Sequence, residues 1–335
     1  MTFEGFCQGA SRAGKATGRA TAKGAVHVGR ASRVAAAYGL RKLGDQATPD
    51  VPVPPAARAM DLPGRGTTHV LDLPGPTPDA PVLLLMHAIA TTGPLTWFTV
   101  VDELRKQYRV VTFDQRWHGR GIRSAEFRLD DCADDAVAVL DALGIEQAIV
   151  VGYSMGGAVA QLLWHRNPER VAGLVLCSTT ARWEGHMGER VFFRMLALAS
   201  EGLISVAADK VAQHADAVAP PSDEAAEAGL RAWCMAELRA TSLWSLPIVM
   251  AELGRFDATP WLGDVTVPTG VLVTSSDKAI PTARQLHLAE SIPGAITRFT
   301  PGGHTSLVLD LTHWKPVFLE LVDEIALRVS LDKAA

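Results

Sequence analysis

Short apolar runs, each about as long as a β-strand, recur along the chain and constrain its fold more than any other feature. They are apolar at successive positions rather than at alternate ones, which is typical of a parallel sheet covered on both faces. The runs are 81–86, 110–113, 148–151, 174–177 and 270–273. A shorter pair of strands is expected ahead of them, around 67–73. Helix-period segments separate the runs, and this alternation predicts right-handed crossovers and a doubly wound, mostly parallel α/β sheet.

The segments between the apolar runs carry apolar residues at the spacing of a helix. They predict helices over 95–108, 130–143, 155–167 and 282–292, and one more after His304 toward residue 329. Gly144 follows the second segment and Pro168 the third, and both residue types end helices. The chain of 335 residues is long enough to hold one such α/β core together with an insertion.

One long segment breaks the alternation. Between residues 182 and 258 there is no strand-like run, only helical sequence rich in Ala, Leu, Met and Trp. We expect a helical cap inserted between two core strands, above the sheet edge where the strands end. The core then comprises residues 61–181 and 259–335. Methionine and tryptophan in the cap would pack the insertion itself and line an adaptable apolar binding wall.

The N-terminal segment differs from the rest of the chain in charge. Residues 1–47 hold eight Lys and Arg against Glu4 and Asp45, a formal net charge of +6, while the remainder carries −10. The basic residues fall near helical spacing, but four interspersed glycines weaken a helix. A disordered tail and a surface helix ordered on anionic lipid therefore both stay open. Residues 48–60 contain four prolines by residue 55 and predict an extended linker.

The motif that carries the clearest chemistry is Gly-Tyr-Ser-Met-Gly, with its serine at Ser154. It directly follows the apolar run 148–151 and directly precedes the helical segment 155–167. On a strand–turn–helix the flanking glycines allow the backbone to approach itself closely, and the serine is forced out at the apex of the turn. That position lies at a helix N-terminus, whose amide dipoles stabilise developing negative charge. The motif predicts a nucleophilic serine.

With this motif in its context, the chain resembles the α/β-hydrolase family, specifically its esterase- and lipase-like serine hydrolases with a helical cap. The resemblance covers roughly residue 62 to the C-terminus. Asp277 follows the run 270–273 and looks like the family's acid loop, while Pro-Gly-Gly-His304 looks like its histidine loop. The resemblance implies Ser154 as nucleophile, Asp277 as acid and His304 as base, in the chain order of the family.

Each implied role has a rival in the sequence. Asp264 is the other aspartate near the run 270–273, but it precedes that run and would lie at the opposite end of the strand from the site. His87 could serve as a base, although a structural role in its loop is favoured because His304 fills the base role better. The family's D-x-R-G-H-G turn corresponds to Asp114–Gly119 with Trp117 in place of glycine, and its members are expected to be scaffolding.

The oxyanion hole is expected to use two backbone N–H groups. One belongs to Met155, the residue after the nucleophile. The other belongs to the loop after the run 81–86, where this sequence has His87-Ala88 in place of the usual His-Gly. By position, Ile89 is the expected second donor.

These residues predict a serine hydrolase that cleaves a carboxylic ester, lipid ester or lactone through an acyl-enzyme. Thioesterase, acyltransferase, carbon–carbon bond hydrolase and perhydrolase chemistry on the same fold stay open, as does a ligand-binding protein with little turnover. We expect a small hydrophobic ester or lactone as substrate and no nucleic acid partner. The chain has no glycine-rich phosphate loop and no metal-ligand spacing, so no cofactor and no metal are expected.

The expected location follows from cysteine usage and hydropathy. Four cysteines are scattered without CxxC spacing, which favours a reducing compartment. Neither a membrane-spanning run nor an apolar secretory signal stands out. We therefore expect a cytoplasmic protein, with the basic arm as its one candidate for peripheral contact with an anionic membrane.

Overall fold

Eight β-strands form one mixed sheet in the part of the chain that the structure describes. That part of this computed structural model covers residues 51–185, 187–217 and 228–334, so the arm over 1–47 lies outside it. The strand order is β1-β2-β4-β3-β5-β6-β7-β8; the pairs β1–β2 and β2–β4 are antiparallel, and the other pairs are parallel. This confirms the predicted doubly wound sheet. The strands are β1 (Arg58–Leu62), β2 (Gly66–Leu73), β3 (Val82–Met86), β4 (Arg109–Phe113), β5 (Ala148–Tyr153), β6 (Val171–Cys177), β7 (Thr269–Thr274) and β8 (Ile296–Thr300).

The central strands are apolar because helices cover both faces of the sheet. Every residue of β5 and of β7 is buried. Along β3, Leu84 and Met86 join the apolar core on one face, whereas Leu83 and Leu85 join the core on the other. Each leucine or phenylalanine side chain buried in this way contributes on the order of 2 kcal/mol by leaving water. The apolar runs of the sequence are thus the interior of the sheet.

Eleven α-helices surround the sheet within the described residues. The predicted helices over 130–143, 155–167 and 282–292 correspond to α3, α4 and α9. The helix expected after His304 is present as the short α10 followed by the long α11. The helices are α1 (Gly93–Trp97), α2 (Val101–Leu104), α3 (Leu129–Ala142), α4 (Met155–Arg166), α5 (Met187–Glu201), α6 (Ile204–Ala217), α7 (Leu230–Ala240), α8 (Ser245–Arg255), α9 (Thr282–Ser291), α10 (Ser306–Leu309) and α11 (Leu311–Ala334).

The single helix predicted over 95–108 is wrong, because the structure has the two short helices α1 and α2 there. The side chain of Thr92 caps α1 by accepting a hydrogen bond from the Leu95 N–H at 3.1 Å. Between the two helices, the Thr99 hydroxyl donates to the carbonyl of Leu307 at 3.1 Å. A tertiary contact of this kind outweighs the weak preference of a mixed sequence for one continuous helix.

Four of the helices, α5 to α8, lie in one insertion between β6 and β7, as the sequence predicted; we call residues 182–258 the helical insertion. Its two ends lie side by side. Arg182 and Asp257 form an isolated antiparallel bridge, and the Ala258 N–H donates to the Ala181 carbonyl at 2.8 Å. That the insertion behaves as a separate domain with these bounds stays a prediction.

The direction of the chain across the sheet reverses between β3 and β5. From β3 the chain proceeds to β4 on one side, and after β4 it crosses to β5 on the other side. In open α/β sheets, the crevice at the carboxyl ends of two such strands is where ligands bind. The loops that follow β3 and β5 therefore meet at the expected position of a site.

Among the described residues, no single helix is long and apolar enough to cross a membrane. One bent pair, Met187–Glu201 with Ile204–His214 at an angle of 75°, has the length and composition to do so together.

Candidate active site

Ser154 occupies the sharp turn between β5 and α4. Its backbone φ is 54°. This value lies in the left-handed region, which non-glycine residues rarely adopt and which is characteristic of strain at functional sites. The turn is narrow, because a Cβ on Gly152 would clash with the carbonyl oxygen of Gly156. The Ser154 N–H donates to the Cys177 carbonyl at 3.0 Å, which anchors the turn to β6 and places the serine hydroxyl at the carboxyl edge of the sheet.

Ser154, His304 and Asp277 are joined by two hydrogen bonds. His304 Nε2 lies 2.9 Å from Ser154 Oγ, and His304 Nδ1 lies 2.7 Å from Asp277 Oδ2. A carboxylate only accepts, so the imidazole proton is on Nδ1 and the lone pair on Nε2 faces the serine hydroxyl. The structure therefore brings together all three residues that the sequence singled out, although they are far apart along the chain.

The carboxylate of Asp277 is held on both of its oxygens. Its side chain is fully buried, and Oδ1 accepts hydrogen bonds from the N–H groups of Ala279 at 2.8 Å and Ile280 at 2.9 Å. The amide of Gln285 donates to Oδ2 at 3.2 Å, beside the bond from His304. Three donors besides the imidazole therefore fix the orientation of this buried carboxylate toward His304.

Two supporting residues were missed by the sequence argument. Gln285 is completely buried, and its Oε1 accepts from the Thr274 N–H at 2.9 Å, so it connects α9 to the end of β7 beneath Asp277. The hydroxyl of Tyr153 donates to the His304 carbonyl at 2.7 Å, and burial raises the pKa of this phenol so that it stays a donor. Tyr153 is a variable residue of the Gly-x-Ser-x-Gly motif, which gave no indication of this contact.

Asp264, the rival acid, lies away from this group. It belongs to a one-turn 3₁₀ helix, Leu262–Asp264, that precedes β7. Asp277 follows the opposite end of that strand. Of these two aspartates, the topology therefore places only Asp277 at the edge where Ser154 and His304 meet.

Comparison with known proteins shows the family of this chain. Residues 81–311 match the family described as the α/β-hydrolase fold. The chain belongs to the α/β-hydrolase family. It is 30% identical over 237 residues to the protein named "Putative carbamate hydrolase RutD" of Caulobacter sp. strain K31, covering 69% of this chain and 86% of that one. It is 27% identical over 214 residues to 3-oxoadipate enol-lactonase 1 of Acinetobacter baylyi, covering 64% and 77% respectively.

Solved structures of hydrolases share the fold of this chain. The enol-lactonase from Burkholderia xenovorans LB400 superposes with a TM-score of 0.59 at 23% identity, covering 79% of this hydrolase and 98% of that chain. A hydrolase from Pseudomonas aeruginosa PA01 superposes with a TM-score of 0.62, also at 23% identity, covering 84% and 99%. The expected enzyme class, a hydrolase of the α/β fold, is confirmed by the family match.

The two backbone donors expected for an oxyanion hole lie on the loops after β3 and β5 of this hydrolase. Met155 begins α4, and Ile89 lies in the loop that joins β3 to α1. In the part of the chain that the structure describes, neither N–H donates to a protein acceptor. By contrast, the Ala88 N–H donates to the hydroxyl of Thr96 at 3.3 Å. Ile89 therefore has a free amide in this loop, although its role as a donor stays a prediction.

His87 holds the β3–α1 loop, hereafter the oxyanion loop (residues 87–92), against the next turn of the core. Its Nε2 accepts from the Gln115 N–H at 2.8 Å, its Nδ1 donates to the Ala88 carbonyl at 2.7 Å, and the Gln115 amide donates to the His87 carbonyl at 2.9 Å. Burial, reinforced by neighbouring His118, lowers the pKa of His87 to about 3. A neutral histidine with both nitrogens engaged is a structural element, not a free base.

The turn over residues 114–121 is built around the buried carboxylate of Asp114. Its two oxygens accept from the Gly93 N–H at 2.9 Å and the Arg120 N–H at 2.8 Å, and burial, with the nearby charge of Glu237, raises its pKa to about 7. Trp117, where the family pattern has glycine, adopts a φ of 63°. Its indole is buried and donates to the carbonyl of Ser124 at 3.1 Å. Buried area and a hydrogen bond therefore offset the backbone strain.

Metal-ligating side chains do not gather in this hydrolase, as far as the described residues show: none of them form a group of three or more His, Cys, Asp or Glu that could hold an ion. The described cysteines, Cys132, Cys177 and Cys234, are all free thiols.

Proposed function

We propose that this hydrolase cleaves a small carboxylic ester or lactone through an acyl-enzyme formed on Ser154. The observation that carries the proposal is the continuous chain of hydrogen bonds at 2.9 and 2.7 Å from the Ser154 hydroxyl through His304 to Asp277. A serine hydroxyl is a weak nucleophile until a base accepts its proton, and this geometry supplies both the base and the residue that orients it.

The proposed acylation follows from those contacts. As Ser154 Oγ bonds to the substrate carbonyl carbon, its proton passes to His304 Nε2, and the resulting imidazolium is stabilised by Asp277. The carbonyl oxygen becomes an oxyanion, which the N–H groups of Met155 and Ile89 would bind. His304 then gives the proton to the leaving alkoxide as the carbon–oxygen bond breaks. Water repeats the sequence on the acyl-enzyme, releases the acid and restores Ser154.

The substrate class rests on the relatives and on the helical insertion. One relative is named an enol-lactonase, and another carries the name of a carbamate hydrolase. Both names describe a carbonyl bonded to a heteroatom leaving group, which suits an activated serine. Ser154 is buried. We propose that the substrate reaches it beneath the insertion, whose Ala-, Leu- and Met-rich helices would favour a hydrophobic ester or lactone. A carbamate is the second candidate because of the 30% identity to RutD.

The decisive experiment combines covalent labelling with turnover. A fluorophosphonate should label the wild-type protein at Ser154, and Ser154→Ala should lose labelling and at least about a thousandfold in kcat on p-nitrophenyl esters. Ser200→Ala, which changes a buried serine on α5 whose hydroxyl donates to the Ala197 carbonyl, should retain both. Near wild-type turnover by folded Ser154→Ala would overturn the proposal, and absent labelling of the wild type would indicate a binding protein.

The reaction type is tested on the same protein. A panel of esters, lactones, thioesters and carbamates ranks the carbonyl classes by kcat/KM. Product analysis with added alcohol separates hydrolysis from acyl transfer, because an acyltransferase would give the new ester in preference to the acid. Added peroxide and a carbon–carbon substrate complete the comparison with the other chemistries that this fold supports.

We also propose that the basic arm, residues 1–47, tethers the protein to anionic lipid. The support is its +6 charge and the proline-rich linker that separates it from the core. At the start of the described chain, Val51 and Val53 pack against an apolar cluster formed by Leu95 and Phe98 of the core and Trp233 of α7. Each basic residue near an anionic surface contributes on the order of 1 kcal/mol.

A further inference from the structure

Glu237 is a carboxylate of the helical insertion that is buried against the core. It lies on α7 and is 1% exposed. Its Oε2 accepts from the Thr92 hydroxyl at 2.5 Å, and its Oε1 accepts from Arg120 Nη1 at 3.0 Å. Both partners belong to core loops. Glu237 therefore connects the insertion to two core segments that are separate in the sequence.

The first of those segments is the oxyanion loop. Thr92 is its last residue, is fully buried, and caps α1 by accepting from the Leu95 N–H while donating to Glu237. Ile89, the expected oxyanion donor, lies earlier in the loop, and Ala90 between them has a φ of 65°. A non-glycine residue in the left-handed region persists only where its surroundings hold it in place. His87 fixes one end, and Thr92 with Glu237 fixes the other.

A second pair of contacts ties the same surfaces together. Thr241, at the end of α7, accepts from the Gly119 N–H at 2.9 Å and donates to the Thr91 carbonyl at 3.4 Å. The two core loops that Thr241 contacts also lie close together, because a Cβ on Gly119 would stand 2.7 Å from the Thr92 methyl group. The end of α7 thus rests directly on the last two residues of the oxyanion loop.

The buried charges around Glu237 argue against a purely stabilising role for this residue. Glu237 and Asp114 are two buried carboxylates beside one guanidinium, that of the buried Arg120. Removing an ion pair from water carries a large desolvation cost, and apolar residues of the same volume would hold α7 in place equally well. What the ion pair supplies that apolar packing cannot is direction, because each oxygen of Glu237 accepts one specific hydrogen bond.

We propose that Glu237 is a positioning residue that sets the geometry of the oxyanion loop, so that the oxyanion hole is complete only when α7 of the insertion is seated on the core. The inference rests on the proposed acyl-enzyme mechanism and adds to it a dependence on the insertion. Since the hole binds the negative charge that develops in the transition state, Glu237 acts on kcat and not on ground-state binding.

The test is a kcat-against-KM comparison of folded variants, with active sites counted by fluorophosphonate. Glu237→Ala should lower kcat on one p-nitrophenyl ester by about 10- to 100-fold, less than the loss of a whole donor, with KM within about twofold. Thr92→Val should lower kcat similarly, whereas Thr92→Ser, which retains the hydroxyl, should have a kcat close to that of the wild type. The double variant Glu237→Ala/Thr92→Val should lose clearly less than the sum of the two single losses, because both substitutions remove the hydrogen bond between Thr92 and Glu237.

The matched control is another ion pair between the insertion and the core. Glu189 on α5 binds Arg284 on α9. Glu189→Gln should lower the unfolding midpoint as Glu237→Ala does, yet leave kcat unchanged. Equal losses of kcat in both variants would mean that seating the insertion matters in general and would overturn the specific role of Glu237.

An inhibitor gives a readout independent of turnover. A trifluoromethyl ketone forms a tetrahedral oxyanion on Ser154, so its affinity should fall in Glu237→Ala in parallel with kcat, whereas affinity for the carboxylic acid product should not. Unchanged ketone affinity and kcat in folded Glu237→Ala would overturn the inference. If Glu237→Ala fails to fold, the comparison of kcat between Thr92→Val and Thr92→Ser tests the inference instead, and equal kcat values for the two would overturn it. Full turnover by Ser154→Ala would instead overturn the proposed function itself.

Discussion

Gly156 and Met86 approach each other so closely that a Cβ on Gly156 would overlap the Met86 carbonyl oxygen. The two residues belong to the start of α4, which directly follows Ser154, and to the end of β3, which leads into the oxyanion loop. This contact brings Ser154 and Ile89 to the same side of the sheet edge. It also explains why the last position of the Gly-x-Ser-x-Gly motif requires glycine.

We predict that Gly156→Ala lowers the free energy of unfolding by about 1–3 kcal/mol, as overpacking of a close contact does. Because backbone must shift to relieve it, the rate of fluorophosphonate labelling at Ser154 should fall at least about tenfold. Urea unfolding and labelling kinetics measure the two effects. Gly263→Ala is the control, since a Cβ there has nothing within 4 Å. Labelling of Gly156→Ala at the wild-type rate would contradict this account of the turn.

We predict that Asp277→Asn lowers kcat by about 10⁴-fold with the fold intact, because an amide in place of the carboxylate favours the wrong imidazole tautomer. Asp264→Asn should leave kcat within about twofold, since Asp264 lies at the far end of β7. Steady-state kinetics on one ester check both variants. If Asp264→Asn were the more damaging change, the assignment of the acid would be wrong.

We predict that His118 makes the protein less stable in mild acid. Burial lowers the pKa of His118 from its usual 6.5 to about 4, so between these values the unfolded chain binds a proton that the folded chain does not. The contribution of neutral His118 to the free energy of unfolding is therefore complete above the unfolded pKa. As the pH falls below that pKa, this contribution is lost by up to about 1.4 kcal/mol per pH unit. His118→Asn keeps a donor for the Arg116 carbonyl but cannot be protonated.

Urea unfolding of wild type and His118→Asn from pH 7.5 to 4.5 measures this effect. The free energy of unfolding should fall less steeply with decreasing pH in the variant. Asp114 contributes the opposite sign, because burial raises its pKa to about 7 and the folded state takes up its proton first. Both proteins share that contribution, so it cancels in the comparison. Parallel curves for the two proteins would refute the prediction.

We predict that deleting residues 1–47 leaves hydrolysis of a soluble short-chain ester unchanged but weakens binding to vesicles of anionic lipid. Binding by the full-length protein should decrease with added salt, because the interaction is electrostatic. Cosedimentation with anionic and neutral vesicles measures it. Equal binding of the full-length and truncated proteins to anionic vesicles at low salt would refute the proposal that the arm is a tether.

The sequence predicted most reliably what depends on burial and on local turns. The interior strands can be predicted because both of their faces are covered, which makes each strand a continuous apolar run. By contrast, β8 was missed: at the sheet edge it contains Arg298 and the exposed Phe299, so it shows no continuous apolar run. The sequence could single out Ser154, Asp277 and His304, which the structure joins by hydrogen bonds, because each lies in a motif or follows an apolar run.

Residues that act through tertiary contacts have no comparable sequence pattern. Gln285 and Glu237 are polar side chains in helices, and nothing in their neighbours indicates that they are buried against a loop from elsewhere in the chain. Trp117 shows the reverse case, a departure from the family pattern that the fold tolerates. Its left-handed backbone costs about 1–3 kcal/mol, and burial of the indole offsets this cost. Such compensation depends on neighbours that only the folded chain supplies.

The adjacency of Arg182 and Asp257 has a consequence for how specificity changes in this fold. Because the helical insertion leaves the core and returns to it at neighbouring positions, its length does not alter the spacing of β6 and β7. Substituting a shorter, longer or unrelated insertion at these two residues would leave the pairing of β6 with β7 undisturbed. Substrate range can therefore diverge by exchange of one contiguous gene segment, provided that the new segment again supplies a partner for Thr92.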